Sequence, residues 1–188
     1  MLTQAQRATL RTDIVALSQN GQPLATAIAN EDYQFIADYY NAKQATLGWN
    51  TETPIKAIRD SISWTSYTQT DSPDSTVIFT NRALAIGIKQ MNLQNILSGD
   101  VTLDASKAGI RAGLRDSVIS LPSGANGALV SAGGVSGVNV LTACTRQSSK
   151  LELMFANAAV QTGTVSAVIY TVQGDIYQQE ISDVWGGL

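Results

Sequence analysis

Apolar positions recur along most of this chain at helical spacing, and polar caps divide them into segments. Thr3 is placed to cap TQAQRATLRTDIVALSQ, in which Ala8, Leu10, Ile14 and Leu17 fall near one face, and Asn20-Gly21 stops that helix. Pro23 opens a short turn of helix. Asn30 is the expected cap of a helix over 31–43, with Tyr33, Ile36, Ala37 and Tyr40 as its apolar stripe. Trp49-Asn-Thr follows as extended chain. Thr53-Pro54 then pairs a capping residue with a proline at the first helical position, and Ile55, Ile58 and Ile62 share one side of the short helix behind it. Ser72-Pro73 announces the longest helix in the same way, over 74–97, with Ile78, Leu84, Ile88, Met91 and Ile96 as its apolar residues. Asp104 is the expected cap of a helix over 105–121, whose Ile110, Leu114, Val118 and Leu121 recur at intervals of four, four and three. Lys107, Arg111 and Arg115 lie on another side of it, and Pro122 closes it.

Beyond Pro122 the pattern changes. LPSGANGALVSAGGVSGVNV holds five glycines between Gly124 and Gly137, and predicts a flexible surface loop of small residues over 122–138. VNVLTACTR and SSKLELMFA read as helices, the second capped by Ser148 or Ser149. TVSAVIYTV is rich in β-branched residues and GDIYQQEI resumes after Gly174-Asp175, which together predict a β-hairpin over 164–181. The expected fold class is α+β, mainly α: a helical core with a C-terminal β-hairpin. The expected division is a helical domain over 1–162 and a hairpin with its tail over 163–188. A lone hairpin is marginal in water, so this one must pack on the helices or pair with another chain. Val165, Val168, Tyr170, Ile176, Tyr177 and Trp185 are therefore candidate subunit-contact residues, joined by Lys107, Arg111 and Arg115.

Charge modifies that picture. Only 14% of the 188 residues are charged, so much of the surface must be Ser, Thr, Asn, Gln and Ala, which loses little hydration on contact with a neighbour. The net charge of −3 gives no general reason to bind nucleic acid, and direct DNA binding is not expected. The charge is uneven, with basic residues concentrated over 82–150, which reads first as a helix pair with solvated basic faces and, as the sharper alternative, as a basic face meeting an acidic face of a neighbouring copy head to tail. The single Cys144 excludes an internal disulfide framework and reads as a small buried hydrophobe. MLTQAQRATL is polar and helix-prone rather than a secretory leader, and no run of 18 apolar residues exists to span a membrane.

The chemistry-bearing templates fail on residues they need. The chain contains no histidine, which removes Ser-His-Asp and Cys-His catalysis and HExxH zinc sites. In the glycine-rich loop a phosphate-cradling GxxxxGK[ST] has no lysine before Lys150. No Gly-x-Gly triplet exists there for a dinucleotide, and Ser136 lacks the second glycine of a nucleophile elbow. The carboxylates Glu31-Asp32, Asp71 with Asp74, and Asp100 with Asp104 all sit at helix starts, where capping accounts for them. Trp49 and Trp64 read as anchors of the irregular 45–72 region. No catalytic, cofactor or metal site is expected, and the chain does not read as an enzyme.

LTQAQRATLRTDI, the Trp49-Asn-Thr segment before a short helix, and RALAIGIKQMNLQNILSGDVTLDASKAGIRAGLRDSV together resemble a group of small tailed-bacteriophage virion proteins. LTACTRQSSKLELMFA followed by a strand-forming tail is similar too. Ser148-Ser149, where a Thr-containing helix start belongs, and the 65–76 loop depart from that pattern. The resemblance implies a structural subunit of the head–tail connection or proximal tail, an adaptor or neck component. It implies a homo-oligomeric ring beside portal or tail components, in a virion assembled in the host cytoplasm. Alternatives are a capsid decoration protein and, in a different class, a small non-histidine enzyme or regulator.

Overall fold

A computed structural model describes residues 2–19, 21–68, 79–99, 101–122, 129–134 and 137–186. It is α+β and mainly α, and its contacts divide into two compact units that the chain enters alternately. One unit comprises 1–46, 147–158 and 170–188, the other 47–146 and 159–169. The boundary expected at 162/163 is not where the contacts divide, since 163–169 and 170–188 belong to different units.

The first unit is helical. Helix α1 (Gln4–Leu17) starts on a reciprocal capping box: the Thr3 hydroxyl accepts the Gln6 N–H, and the Gln6 side chain accepts the Thr3 N–H at 2.8 Å. After the short α2 (Ala25–Ala29) comes α3 (Tyr33–Asn41), which begins later than the periodicity predicts. Glu31 takes a left-handed backbone with φ 54°, which interrupts the helix, and Asp32 rather than Asn30 caps it by accepting the Phe35 N–H at 3.0 Å. Leu10, Ile14, Leu24, Ile36, Tyr40, Leu151, Ile176 and Ile181 form this unit's core. Asn41 and Ile176 exchange two hydrogen bonds, the amide donating to the Ile176 carbonyl and its oxygen accepting the Ile176 N–H.

That exchange explains the principal correction to the expected topology. Residues 174–181 are not the second strand of a hairpin. Gly174 does turn, at φ 97°, but its N–H goes to the Glu152 carboxylate, and Ile176 has its backbone taken by Asn41. The segment needs no strand partner, and Gln178–Gly186 forms a helix that buries Ile181 and Val184. The hairpin exists earlier, in the second unit. There the strands Val160–Thr162 and Val165–Ala167 pair with Thr162 opposite Val165, turning at Gly163 with φ 59°. A glycine with positive φ at the first of two central residues is the II′ arrangement.

Elements are numbered here in chain order. Strand β1 (Lys43–Trp49) pairs with β6 (Thr145–Ser149), and both run from one unit into the other. Strands β2 (Thr53–Pro54) and β3 (Thr102–Leu103) pair antiparallel, as do β4 (Leu121–Pro122) and β5 (Leu129–Val130), while β7 and β8 are the hairpin around Gly163. The helices are α4 (Ile55–Asp60), α5 (Phe79–Ile96), α6 (Ala108–Val118), α7 (Val138–Ala143), α8 (Lys150–Met154) and the C-terminal α9. The expected start of the long helix at 74–78 lies outside the described residues. Helix α6 starts three residues later than predicted, because the Asp104 carboxylate accepts both the N–H and the hydroxyl of Ser106 and holds 104–107 out of the helix. Ser149, not Ser148, caps α8 through a second capping box with Glu152.

The second unit's core gathers Trp49, Ile58, Ile86, Leu93, Leu114, Val118, Leu121, Val140, Leu141 and Cys144. Part of the glycine-rich segment belongs to that core rather than to a slack surface loop. Ala132 is fully buried, its N–H bonds the Val118 carbonyl, and its carbonyl accepts the Ser63 N–H. A Cβ on Gly133 would lie 2.8 Å from methyl carbons of both Val118 and Val140. Residues 123–128 and 135–136 of the loop lie outside the described residues. Gly133→Ala is therefore expected to lower unfolding stability by about 1–3 kcal/mol. Gly87→Ala, whose Cβ on α5 meets nothing within 4 Å, should raise it by roughly 0.5–1 kcal/mol. Urea denaturation of the two variants beside the wild type checks both signs.

Candidate contact surface

Two chemistry-bearing side chains of the second unit, Arg111 and Cys144, are turned inward. Arg111, on α6, is 1% exposed. Its Nη1 donates to the carbonyls of Ala105 at 2.8 Å and Ser106 at 2.6 Å, its Nε donates to the Thr162 hydroxyl at 3.0 Å, and its guanidinium lies 4.7 Å from the Trp49 ring centroid. Burial pushes its pKa down and the nearby Asp104 opposes that shift. Cys144 is fully enclosed, and burial pushes its thiol up to about 12, against a smaller opposing effect of Arg111. A thiol so placed is an inert core group at neutral pH.

The predicted contact residues scatter accordingly. Lys107 is exposed and lies 3.6 Å from Asp104, while Arg115 is partly exposed with its Nη1 3.2 Å from Asp116. Arg111 sits in the interior between them in sequence, so the expected basic face is not formed: desolvating a guanidinium is tolerated here because carbonyls and a ring face receive it. Val165 is buried in the second unit's core and Ile176 in the first's, and Val168 and Tyr170 are buried too, so none of the four is exposed. Their β-branched, apolar character reflects ordinary core packing. Tyr177 is 67% exposed, and Trp185 is half-buried against the first unit's core.

An exposed apolar row lies on α5. This helix carries apolar residues on two sides. Ile86 and Leu93, followed by Leu97, face the core, whereas Leu84, Ile88 and Met91 are 62%, 45% and 54% exposed. The apolar set expected for this helix held Leu84, Ile88 and Met91 but neither Ile86 nor Leu93, and the spacing of four and three among the first three was the signal that marked a second face. Among the described side chains of α5 the charged ones are Arg82, which is buried, and Lys89, so the outer row is neutral. Lys89 crosses to α6, donating to the Asp116 carbonyl and to the Ile119 carbonyl at 2.8 Å, where a cation suits the helix C-terminus.

A groove of about 620 Å³ runs between α5 and α6, lined by Ile88, Lys89, Asn92, Asn95, Ile96, Gly113, Asp116 and Ser117. Gly113 opens its floor, since a Cβ there would meet the Ile96 Cδ1 at 2.9 Å. Among the described residues no group of His, Cys, Asp or Glu is placed to hold a metal ion, and no helix is long and apolar enough to cross a membrane. The surface here is an apolar row with an adjoining groove whose lining carries the Asn92 and Asn95 amides, the Lys89 ammonium and the Asp116 carboxylate. Comparison of the chain with family models, with curated proteins and with solved structures finds no match.

Proposed function

We propose that this chain is a structural subunit of a tailed-phage virion, assembling as an oligomeric ring in the head–tail connection or proximal tail, where portal or tail components would be its neighbours. The observation that carries an assembly role is the neutral row Leu84, Ile88 and Met91, left outward on a helix whose other face already fills the core. Apolar side chains aligned turn by turn on one helix, beside a groove, gain by being covered. The low charge of the chain supports the same reading, because few ions would lose their water on contact. The virion setting rests on the sequence resemblance. Contact, not catalysis, is the mechanism.

Light scattering of the purified chain across a concentration series is expected to give a discrete oligomer. The double variant Leu84→Gln/Met91→Gln should be a monomer at the same concentrations. Its stability should change by no more than about 0.5 kcal/mol, as for surface positions generally. A wild-type chain that stays monomeric at every concentration and also fails to bind portal-type rings overturns the proposal.

A further inference from the structure

We infer that Met91 is a site of oxidative modification that regulates this surface: oxygen transfer to its thioether and coverage of the α5 row exclude one another. The inference rests on the assembly reading above and names a control on that same row. Met91 stands between Ile88 and Asn95, at spacings of three and four, and is 54% exposed. An oxidant in solution therefore reaches it. The other sulfur-bearing residues described are less open. Met154, on α8, is partly buried against the first unit's core, and Cys144 is fully enclosed in the second, where burial keeps its thiol protonated at neutral pH.

Peroxides are the class of oxidant that this sulfur takes. A thioether lone pair attacks one peroxide oxygen, the O–O bond breaks, and that oxygen stays on sulfur as the sulfoxide. The second oxygen of hydrogen peroxide leaves as water, carrying both protons. Sulfur loses two electrons and the peroxide gains them, so the protein supplies neither a proton nor a base.

The product changes what the row can do. A thioether is apolar and adapts to irregular gaps, whereas a sulfoxide carries an oxygen that needs a hydrogen-bond donor. On the free chain water supplies that donor, and the exposed Asn95 amide lies one turn away, so α5 keeps its fold. Once the row is covered, water is excluded, and its apolar neighbours Leu84 and Ile88 have no side-chain donor to offer. An unpaired oxygen there should weaken association roughly tenfold or more.

The full chain is to be treated briefly with dilute hydrogen peroxide and mapped by peptide mass. Below the assembly concentration, oxygen is expected on Met91 before Met154. Above it, oxidation of Met91 should slow several-fold. Treated wild type should need roughly ten times the concentration to assemble, and methionine sulfoxide reductases should reverse the loss. Met91→Leu keeps the row apolar without a sulfur, so it should assemble like wild type and ignore peroxide. Helical circular dichroism should be the same in every case. Oxidation of Met154 before Met91, assembly unchanged by oxidised Met91, or equal peroxide sensitivity of the leucine variant would each overturn the switch while the assembly reading stands. A wild-type chain that assembles at no concentration overturns the assembly reading, and the switch falls with it.

Discussion

Arg111→Ala is expected to cost about 4 kcal/mol of unfolding stability, a large part of the roughly 5–15 kcal/mol available to a protein domain. The estimate follows from what the side chain holds. The carbonyls of Ala105 and Ser106 and the hydroxyl of Thr162 lose their donor, at about 1 kcal/mol each inside a protein, and the Trp49 face loses its cation for about another. These contacts tie four stretches of the second unit together: the end of β1, the 104–107 turn, α6, and β7 of the hairpin. Arg111→Met should lose less, because the apolar stem still packs and no charge need be desolvated. Arg111→Lys keeps the charge but not the planar fork, so it should fall between wild type and alanine. Urea melts of the three variants give the order directly. A loss below about 1 kcal/mol for the alanine variant would show that water replaces the guanidinium at no cost, and the structural role would be withdrawn.

Glu152 plays the corresponding part in the first unit. It is 1% exposed, and its two carboxylate oxygens accept the Ser149 N–H at 2.9 Å and the Gly174 N–H at 3.2 Å. In both units a buried charged side chain reaches a distant stretch of chain, Arg111 the Thr162 hydroxyl and Glu152 the Gly174 N–H. This is where sequence reasoning met its limit. The Thr3 cap of α1, the stripe of α3, the period of α6 and a serine cap of α8 at 148 or 149 were all legible, because each depends on residues within a turn or two of one another. The hairpin turn was expected at Gly174 rather than Gly163 because Gly174-Asp175 has the composition of a hairpin turn, while the deciding partners, Asn41 and Glu152, lie far off in sequence. Gly163-Thr164, which forms the actual turn, has the same glycine-first chemistry and was passed over. Strand β1 was missed for a related reason: KQATLGW does not alternate, and its pairing with β6 spans about a hundred residues.

The candidate surface was half legible. Composition pointed to an easily desolvated exterior, and the outward row of α5 was named among its apolar residues, but Ile86 and Leu93, which fill the core, were not, since periodicity alone could not say which of two apolar faces turns inward. Basic spacing on α6 misled in the opposite direction. Lys107, Arg111 and Arg115 recur every fourth residue like a solvated stripe, yet the middle one faces the Trp49 ring. An arginine on the inner side of a helix reads as surface until the carbonyls that receive it are known.

Alkaline pH is expected to unfold the protein cooperatively, through three buried acids whose neutral forms the fold requires. Burial pushes the Cys144 thiol from 9.0 up to about 12 and the Tyr67 phenol from 10.0 up to about 12. Tyr40 is raised as well, first by burial and then by its hydrogen bond to Asp13 at 2.6 Å, since losing the proton would set a phenolate against a carboxylate. All three folded values lie above the ordinary ones, so as pH rises the unfolded chain releases these protons first. Stability is therefore intact below about pH 9 and falls through the window up to about 12. Each group contributes about 1.4 kcal/mol per pH unit while it is ionised only in the unfolded chain, so the three together give a slope of about 4 kcal/mol per unit above pH 10. A domain stable by 5–15 kcal/mol does not survive two such units. Tyrosinate absorbance from Tyr40 and Tyr67 should thus rise together with the loss of helical circular dichroism, and Cys144 should become open to alkylation in the same transition. Cys144→Ala removes one of the three protons and should flatten the slope by about 1.4 kcal/mol per pH unit. Ionisation of both tyrosines near pH 10 with the helices intact would mean that their hydroxyls reach water, contrary to the enclosure that sets their pKa values.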